Sequence, residues 1–364
     1  MEIKIPAHQE WEKIHQFLHK NLRSDMEWSL KDEYPLAFAE KNMGNLRVIE
    51  KEDQVVAHAV LKPSLIRTHY HLFKVGFIGS VVTDENHRGQ GYSRQIVESC
   101  LEACVKQECD FALLWTDLFN FYAKLGFEVG GQEVALQLGE SFKGEKKDNL
   151  KVIEGPQVSA DAILNLYNQH NLRTLRMASE VQKYLRIPQS QIYTAWNIQS
   201  NKLEAYCVMG KGADFTDYIH EWGGSVSSLI SLISHIHMQN KKPLTVISPP
   251  QCTNMIKKLE ERGAEKFFGI LGMMKITHPQ NFCKKIKRGA RTLGFDQFVF
   301  EFKDGIYYFG SESDIYQTDS EQDIIRLVFG PMKPNQIHSF SEQNLEVMNE
   351  IFPIPFWVWG WDSI

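Results

Sequence analysis

The chain of 364 residues is short of cysteine, of long apolar runs and of basic charge, and each shortage excludes a class of protein. Six cysteines are too few for a disulfide framework in so long a chain. No Cys-x-x-Cys pair occurs and no histidine stands near Cys100, Cys104 or Cys109, so the ligand spacing of a zinc site is missing. Cys100 and Cys104 lie one helical turn apart on an apolar face and read as buried thiols. No stretch approaches the ~20 apolar residues that span a bilayer. Met1-Glu2-Ile3-Lys4-Ile5-Pro6 leads into charged residues where a secretory signal has its apolar core, so a cytoplasmic protein without a membrane span is expected. A net charge of −5 supplies no basic field for nucleic acid, and an anionic ligand has to be met by a local site.

What is present is the composition of a folded multidomain protein, 43% hydrophobic and 23% charged, at a length beyond the usual single domain. Up to about residue 140 helices and strands alternate. Trp11 to Leu22 has a helical pattern; Leu46-Arg47-Val48-Ile49 and Val55 to Leu61 read as a hairpin across Lys51-Glu52-Asp53; Phe73 to Val82 is a further strand. Ile96, Val97, Cys100, Leu101, Cys104 and Val105 make one buried helical stripe. A short strand around Leu113, a small helix at residues 120–124 and another strand from Phe127 complete the stretch. Residues 139–151, polar and rich in Lys and Glu, read as a linker. The element order then repeats through residue 278, in pattern more than in letters. From 279 to 364 a basic helix, two strands and two helices indicate a small α+β domain. The expected division is therefore 1–140, 150–278 and 279–364, of mixed α/β class. Of the eight tryptophans, Trp357, Trp359 and Trp361 crowd into the last eight residues, where a chain end is ordinarily polar and frayed.

The densest chemical signal is Val81-Val82-Thr83-Asp84-Glu85-Asn86-His87-Arg88-Gly89-Gln90-Gly91-Tyr92-Ser93-Arg94. A strand enters a loop whose glycines let backbone approach a ligand closely, and the following helix aims its unpaired N–H groups and positive dipole end at that loop. Such a place holds a pyrophosphate, and Arg88 and Arg94 flank it. A Gly-rich turn ahead of a surface helix is the plain alternative.

The segment resembles the acetyl-CoA loop of the GNAT superfamily of N-acetyltransferases, a strand followed by Arg-x-x-Gly-x-Gly/Ala at the start of a helix; Arg88-Gly89-Gln90-Gly91-Tyr92-Ser93 fits with Ser93 in the last small place. Asn120-Phe121-Tyr122-Ala123-Lys124-Leu125-Gly126-Phe127-Glu128 is similar to that superfamily's second signature. The resemblance implies acetyl-CoA as co-substrate and a primary amine as acceptor. It also implies that Val81, Val82 and Thr83 pair with the pantetheine arm and that residues Arg88 to Arg94 hold the pyrophosphate. Acetyl transfer builds charge on the thioester oxygen and expels a thiolate, so a backbone N–H near Val81 and Val82 and an acid near sulfur lower the barrier. Tyr122 is the candidate acid, since a phenol stays protonated at neutral pH.

The second repeat has Trp222-Gly223-Gly224-Ser225 where the first has Arg88-Gly89-Gln90-Gly91, and Leu259-Glu260-Glu261-Arg262-Gly263 where the first has Tyr122-Ala123-Lys124-Leu125-Gly126. Arginine and acid are both missing, which reads as a second acetyltransferase-like domain that has ceased to catalyse. This three-part architecture resembles the enhanced intracellular survival family, whose third domain is similar to sterol carrier proteins and whose terminal carboxylate enters the active site as a base. The matching group here is the α-carboxylate of Ile364, and the resemblance also implies a homo-oligomer, on which composition is silent. An ammonium substrate with a pKa of ~10 has to lose a proton before attack. Phe352-Pro353-Ile354-Pro355-Phe356-Trp357-Val358-Trp359-Gly360-Trp361 can anchor a chain end for that purpose. It can equally finish a core, or display Asp362-Ser363-Ile364 as a PDZ-type ligand.

Other candidates are weaker. His69-x-His71 and His235-x-His237 lack a third metal ligand and read as structural. Glu40, Asp84 and Glu85 could draw a cationic acceptor, though acidic residues ahead of a helix are commonly solvated caps. A protein of another class, one that senses acyl-CoA with its first domain and carries lipid in its third, would have no need of Tyr122.

Overall fold

The computed structural model describes residues 2–240, 242–311 and 314–364. The short strand β1 (Ile3–Lys4) precedes α1 (Trp11–Leu22), which is a helix because Ile14, Phe17 and Leu18 fall on one side of a 3.6-residue repeat and are buried. After α2 (Leu30–Glu33) come β2 (Leu46–Lys51) and β3 (Gln54–Arg67). Lys51 faces Gln54 across the hairpin. The two turn residues between them, Glu52 and Asp53, have φ of 47° and 60°, as a two-residue turn joining right-twisted strands demands. β4 (Leu72–Thr83) lies antiparallel to β3. α3 (Tyr92–Lys106) buries Ile96, Val97, Cys100 and Cys104, whereas Val105, at the edge of the expected stripe, is half exposed. β5 (Phe111–Leu114) and α4 (Phe119–Ala123) follow.

Next in the chain are β6 (Glu128–Leu138), β7 (Leu150–Glu154), α5 (Ala160–Tyr167), β8 (Arg173–Thr174), α6 (Ala178–Tyr184), β9 (Gln191–Asn197) and β10 (Leu203–Lys211). β11 (Asp214–Gly224), α7 (Val226–Gln239), β12 (Leu244–Ser248), α8 (Thr253–Glu260) and β13 (Glu265–Ile276) complete this stretch. The last part of the chain forms α9 (Pro279–Thr292), β14 (Phe298–Lys303), β15 (Ile306–Ser311), β16 (Asp314–Thr318), α10 (Glu321–Phe329), α11 (Pro334–Ile337) and α12 (Glu342–Ile351).

These elements assemble into two compact units. One takes the chain up to Gly131 together with Ile270–Phe356 and Ile364; the other takes Gln132–Gly269 and Trp357–Ser363. The first unit's main sheet runs β1-β2-β3-β4-β5-β13, and the second unit's runs β6-β12-β11-β10-β9-β7. β13 closes the first sheet by pairing antiparallel with β5, Met273 opposite Leu114. β6 closes the second in the same way on β12, Leu138 opposite Leu244. Each sheet is therefore completed by a strand from beyond the contiguous repeat that forms the rest of it.

In the first unit, one face of the sheet packs Ile78, Leu61, Tyr122, Phe127 and Met273 against α3. The other packs Leu46, Val48, Val60 and Val82 against Ile14, Phe17, Leu30 and Phe38 from the α1–α2 region. Phe73 and Phe111 carry this core on to Phe282, Phe329 and Phe356, with ring centroids 5.0–6.4 Å apart. Phe298, Phe300 and Phe352 form a further aromatic cluster beside the antiparallel β14-β15-β16 sheet. Among the described residues no helix is long and apolar enough to cross a membrane.

Candidate active site

Val75, Gly76 and Phe77 of β4 pair in parallel with Phe111, Ala112 and Leu113 of β5. β5 then stops at Leu114 while β4 continues to Thr83, so the two strands part and leave one edge of residues 78–83 without its β5 neighbour. A bulge sets the direction of that edge. Val60 of β3 faces Gly79, but His58 faces Val82, and Ser80 takes φ 49° to absorb the extra residue. The Ser80 carbonyl lies 3.0 Å from Nδ1 of His58, a wholly buried imidazole whose pKa burial pushes down to about 4.

The loop beyond β4 has the features of an anion cradle. Asp84 accepts from the Asn86 N–H at 3.0 Å and closes a tight turn. Gly89 and Gly91 then take φ of 76° and 79°, in the left-handed region that glycine enters without strain. Gly91 is the N-cap of α3, and no side chain caps that helix, so its first N–H groups face the loop. The hydroxyls of Thr83 and Ser93 meet at 2.8 Å. Gln90 accepts from Lys51 at 3.0 Å and from the Tyr92 hydroxyl at 2.8 Å, which brings Lys51 to the loop, a cation the sequence reading passed over. Val82, Thr83 and Tyr92 are buried, and Arg88, Gly89, Gln90, Gly91 and Arg94 are exposed. Arg94 is bound one turn along the helix to Glu98 at 2.8 Å.

Tyr122 is buried in the same core as Tyr92, Ile78 and Leu114, edge-on to Phe121 and Phe127 at 4.9 and 5.8 Å. Burial, with a smaller contribution from Cys100, pushes its pKa up to about 12. The turn after it is fixed by Phe127 N–H donating to the Tyr122 carbonyl at 3.1 Å and by Gly126 at φ 84°.

The chain terminus also belongs to this unit. Ile364 packs against the cluster of Ile14, Phe17, Leu30 and Val82, and a β-carbon placed on Gly79 would fall 2.8 Å from the terminal carbon of Ile364. Only glycine in the middle of β4 leaves room for that carboxyl group. Glycine inside a strand is itself a signal of close approach, and Gly79 could have been singled out on that ground. Trp357, Trp359 and Trp361 are fully or almost fully buried, so the tail is not displayed as a peptide ligand.

In the second unit β11 and β12 pair in parallel at Tyr218 with Thr245 and Ile219 with Val246 before they part. Here the indole N–H of Trp222 donates to the Ile247 carbonyl of β12 at 3.0 Å. Trp359 lies edge-on to Trp222 at 4.9 Å. α7 is capped from within, the Ser225 hydroxyl accepting from Ser228 N–H. The turn after Leu259 repeats that after Tyr122, with Ala264 N–H on the Leu259 carbonyl at 3.0 Å and Gly263 at φ 96°. A cavity of about 300 Å³ is lined there by Trp222, Gly224, Val226, His170 and Cys252. No group of three metal-ligating side chains occurs among the described residues. His235 and His237 lie on α7, a helix, which turns successive alternate residues to different sides.

Residues 3–130 match the family described as an acetyltransferase (GNAT) domain. A search of curated proteins returned no match. Among solved structures the whole chain is similar to a GCN5-related N-acetyltransferase from Anabaena variabilis, with 14% identity, a TM-score of 0.70 and all of both chains covered. One from Kribbella flavida covers both chains equally at 13% identity and a TM-score of 0.65. Eis1 from Mycobacterium abscessus does so at 8% identity and 0.64. At these identities the structures show a shared fold, and the domain match supplies the chemistry: acyl transfer with acetyl-CoA as co-substrate and an amine as acceptor.

Proposed function

We propose, from the acetyltransferase domain that residues 3–130 carry, that the protein moves an acetyl group from acetyl-CoA to a primary amine by direct attack, with Tyr122 as general acid and the Ile364 carboxylate as base. The cradle fits the diphosphate of the co-substrate: an uncapped helix start, two glycines at positive φ, and Arg88 and Lys51 beside it. Residues 81–83, on the edge that has lost its strand neighbour, offer backbone donors and acceptors to the amide-bearing arm. The Ile364 carboxylate takes the proton from the incoming ammonium, and the amine lone pair forms the C–N bond. Backbone N–H groups at the β4 bulge stabilise the oxyanion of the tetrahedral intermediate. As the C–S bond breaks, the Tyr122 hydroxyl gives its proton to sulfur, and the second proton, which the acylated nitrogen sheds as the amide forms, restores the phenol. A phenol with a pKa near 12 holds that proton throughout the neutral range.

The observation that carries this reading is the terminal carbon of Ile364 lying against Gly79, on the strand whose far end supplies the cradle. The second unit supports a non-catalytic role for itself. It has no arginine in its loop, a helix start already capped by Ser225, Leu259 in the place of the acid, and an indole bonded across the gap between its strands.

Thiol release from acetyl-CoA across a panel of polyamines, lysine peptides, aminoglycosides and small amines tests the activity, with a deletion of Ile364 beside the parent. Release that depends on an amine in the parent and falls at least ~10-fold in the deletion is the expected result, a floor set below the ~100-fold low end for a removed base because the shortened chain still ends in a carboxylate. Binding of acetyl-CoA with no amine-dependent release would instead make the chain an acyl-CoA-binding protein.

A further inference from the structure

The seven residues before Ile364 are held in the second unit by a buried ionic cluster. The guanidinium of Arg176, 1% exposed, meets Asp362 at 2.6 Å and Glu221 at 2.7 Å. Its Nε reaches both Asp362 oxygens at 3.0 and 3.2 Å. The hydroxyls of Tyr184 and Tyr167 donate to the Asp362 carboxylate at 3.1 and 3.4 Å, and Tyr206 donates to Glu221 at 3.1 Å. The Tyr167 ring lies 3.8 Å beneath the guanidinium carbon. Burial opposes the charge on Arg176, but Asp362 and Glu221 more than offset it and drive its pKa above the ordinary value. Lys211 adds a second grip, its ammonium bonding the carbonyls of Gly360 at 2.8 Å and Ser363 at 2.6 Å. The Trp359 indole donates to the Leu172 carbonyl at 2.8 Å.

An apolar tail could be buried by tryptophans alone. A buried ion pair adds little net stability over apolar packing, because desolvating the charges cancels most of their attraction. What it does supply is register: Asp362 fits the fork of Arg176 in one position, whereas indoles tolerate a slide. Asp362 stands two residues before the chain end, and two residues reach at most ~7 Å. We infer that Arg176 is a positioning residue, with Lys211 as its support, whose hold on Asp362 and on the tail carbonyls fixes where the terminal carboxylate is delivered. The inference rests on the reading of that carboxylate as the base, and it gives the buried charges of a non-catalytic unit a place in the reaction.

The test compares Asp362→Asn, Arg176→Lys, Lys211→Met and the deletion of Ile364 across pH 6–10, with acetyl-CoA affinity measured in parallel. A misplaced base leaves attack to the fraction of amine that is already neutral, and that fraction grows tenfold per pH unit below the amine's pKa. The expected result for Asp362→Asn is a fall in kcat/KM for the amine of about 10-fold or more at pH 7, shrinking toward parity by pH 10. Acetyl-CoA affinity should stay within about twofold of the parent. The deletion should show the same pH signature. A loss of equal size at every pH would mean that the cluster only supports the fold, and would overturn the inference. Parental activity in Asp362→Asn and Arg176→Lys beside an impaired deletion would overturn it too, while leaving the base in place. Parental activity in the deletion would remove the base reading itself. Should Asp362→Asn not fold, Lys211→Met, which frees Gly360 and Ser363 and leaves the ion cluster intact, carries the same expectation and the same refutation.

Discussion

Tyr122 can act as an acid only while its phenol keeps its proton, and burial raises its pKa to about 12. Below that value the acid is present, so kcat should show no alkaline decline between pH 8 and 10; a decline centred near pH 9 would assign the proton to another group. Tyr122→Phe keeps the ring against Phe121 and Phe127 and removes only the hydroxyl. Its kcat should fall about 10- to 100-fold, at or below the ~100-fold low end for a lost general acid because a departing thiolate is already a weak base. Acetyl-CoA binding should be unchanged, and a variant as fast as the parent would exclude the role. Tyr122 was legible in the sequence because its neighbours, Lys124-Leu125-Gly126-Phe127, are local. Arg176 was not, because its partner Asp362 stands 186 residues away and nothing in Leu175-Arg176-Met177 announces it. Gly79 lay between these extremes: its place in a strand was visible, but the group that needs its missing side chain comes from the other end of the chain.

Among the elements, α3 begins on a residue with no side chain at all, whereas α7 begins on a serine that satisfies its own helix. An open helix start is costly unless something else pairs with its N–H groups. Gly91→Asp tests that distinction. Aspartate tolerates positive φ better than most residues, and its carboxylate would cap α3. It would also set a negative charge where a diphosphate has to sit. Thermal stability should change little, the new cap offsetting the strain of a side chain at positive φ, while acetyl-CoA affinity falls at least ~10-fold, about 1.4 kcal/mol; unchanged affinity would move the diphosphate site elsewhere. Most elements of the first repeat could be read from periodicity, the Trp11–Leu22 helix to the residue and the hairpin through its turn. The strand exchange could not. β13 reads as a strand from its own residues, but its pairing with β5 is decided by long-range register, on which local propensity has no bearing.

For the whole molecule, the two units differ in how burial has shifted their titrating groups. In the first unit burial lowers the pKa values of His58 and His71 to about 4 and lowers that of His15. In the second it lowers His170 to about 4 and His220 to about 3. A histidine with a depressed folded pKa contributes stability in full above its unfolded value of ~6.5, and loses it as pH falls toward the folded value. His58, His71, His170 and His220 therefore each cost roughly 1.4 kcal/mol per pH unit on acidification between the unfolded and folded values. The second unit has an opposing pair. Burial raises Glu133 to about 7 and raises Glu221; a carboxyl with a raised folded pKa stabilises the fold below its unfolded value and loses that contribution as pH climbs through the folded one. Between pH 6.5 and 5 Glu133 takes up a proton in the folded state and offsets part of the histidine loss there. In the first unit burial likewise raises Asp110 and Glu321, in the same direction as Glu221, so the difference between the units rests on Glu133. The first unit should thus weaken first in acid. Hydrogen exchange followed from pH 7 to pH 5, corrected for intrinsic rates, should show β3 and β4 losing protection before β10 and β11. Glu133→Gln should then bring the second unit's loss closer to that of the first. Loss of protection in β10 and β11 ahead of β3 and β4 would mean that Glu133 does not take up the proton assigned to it.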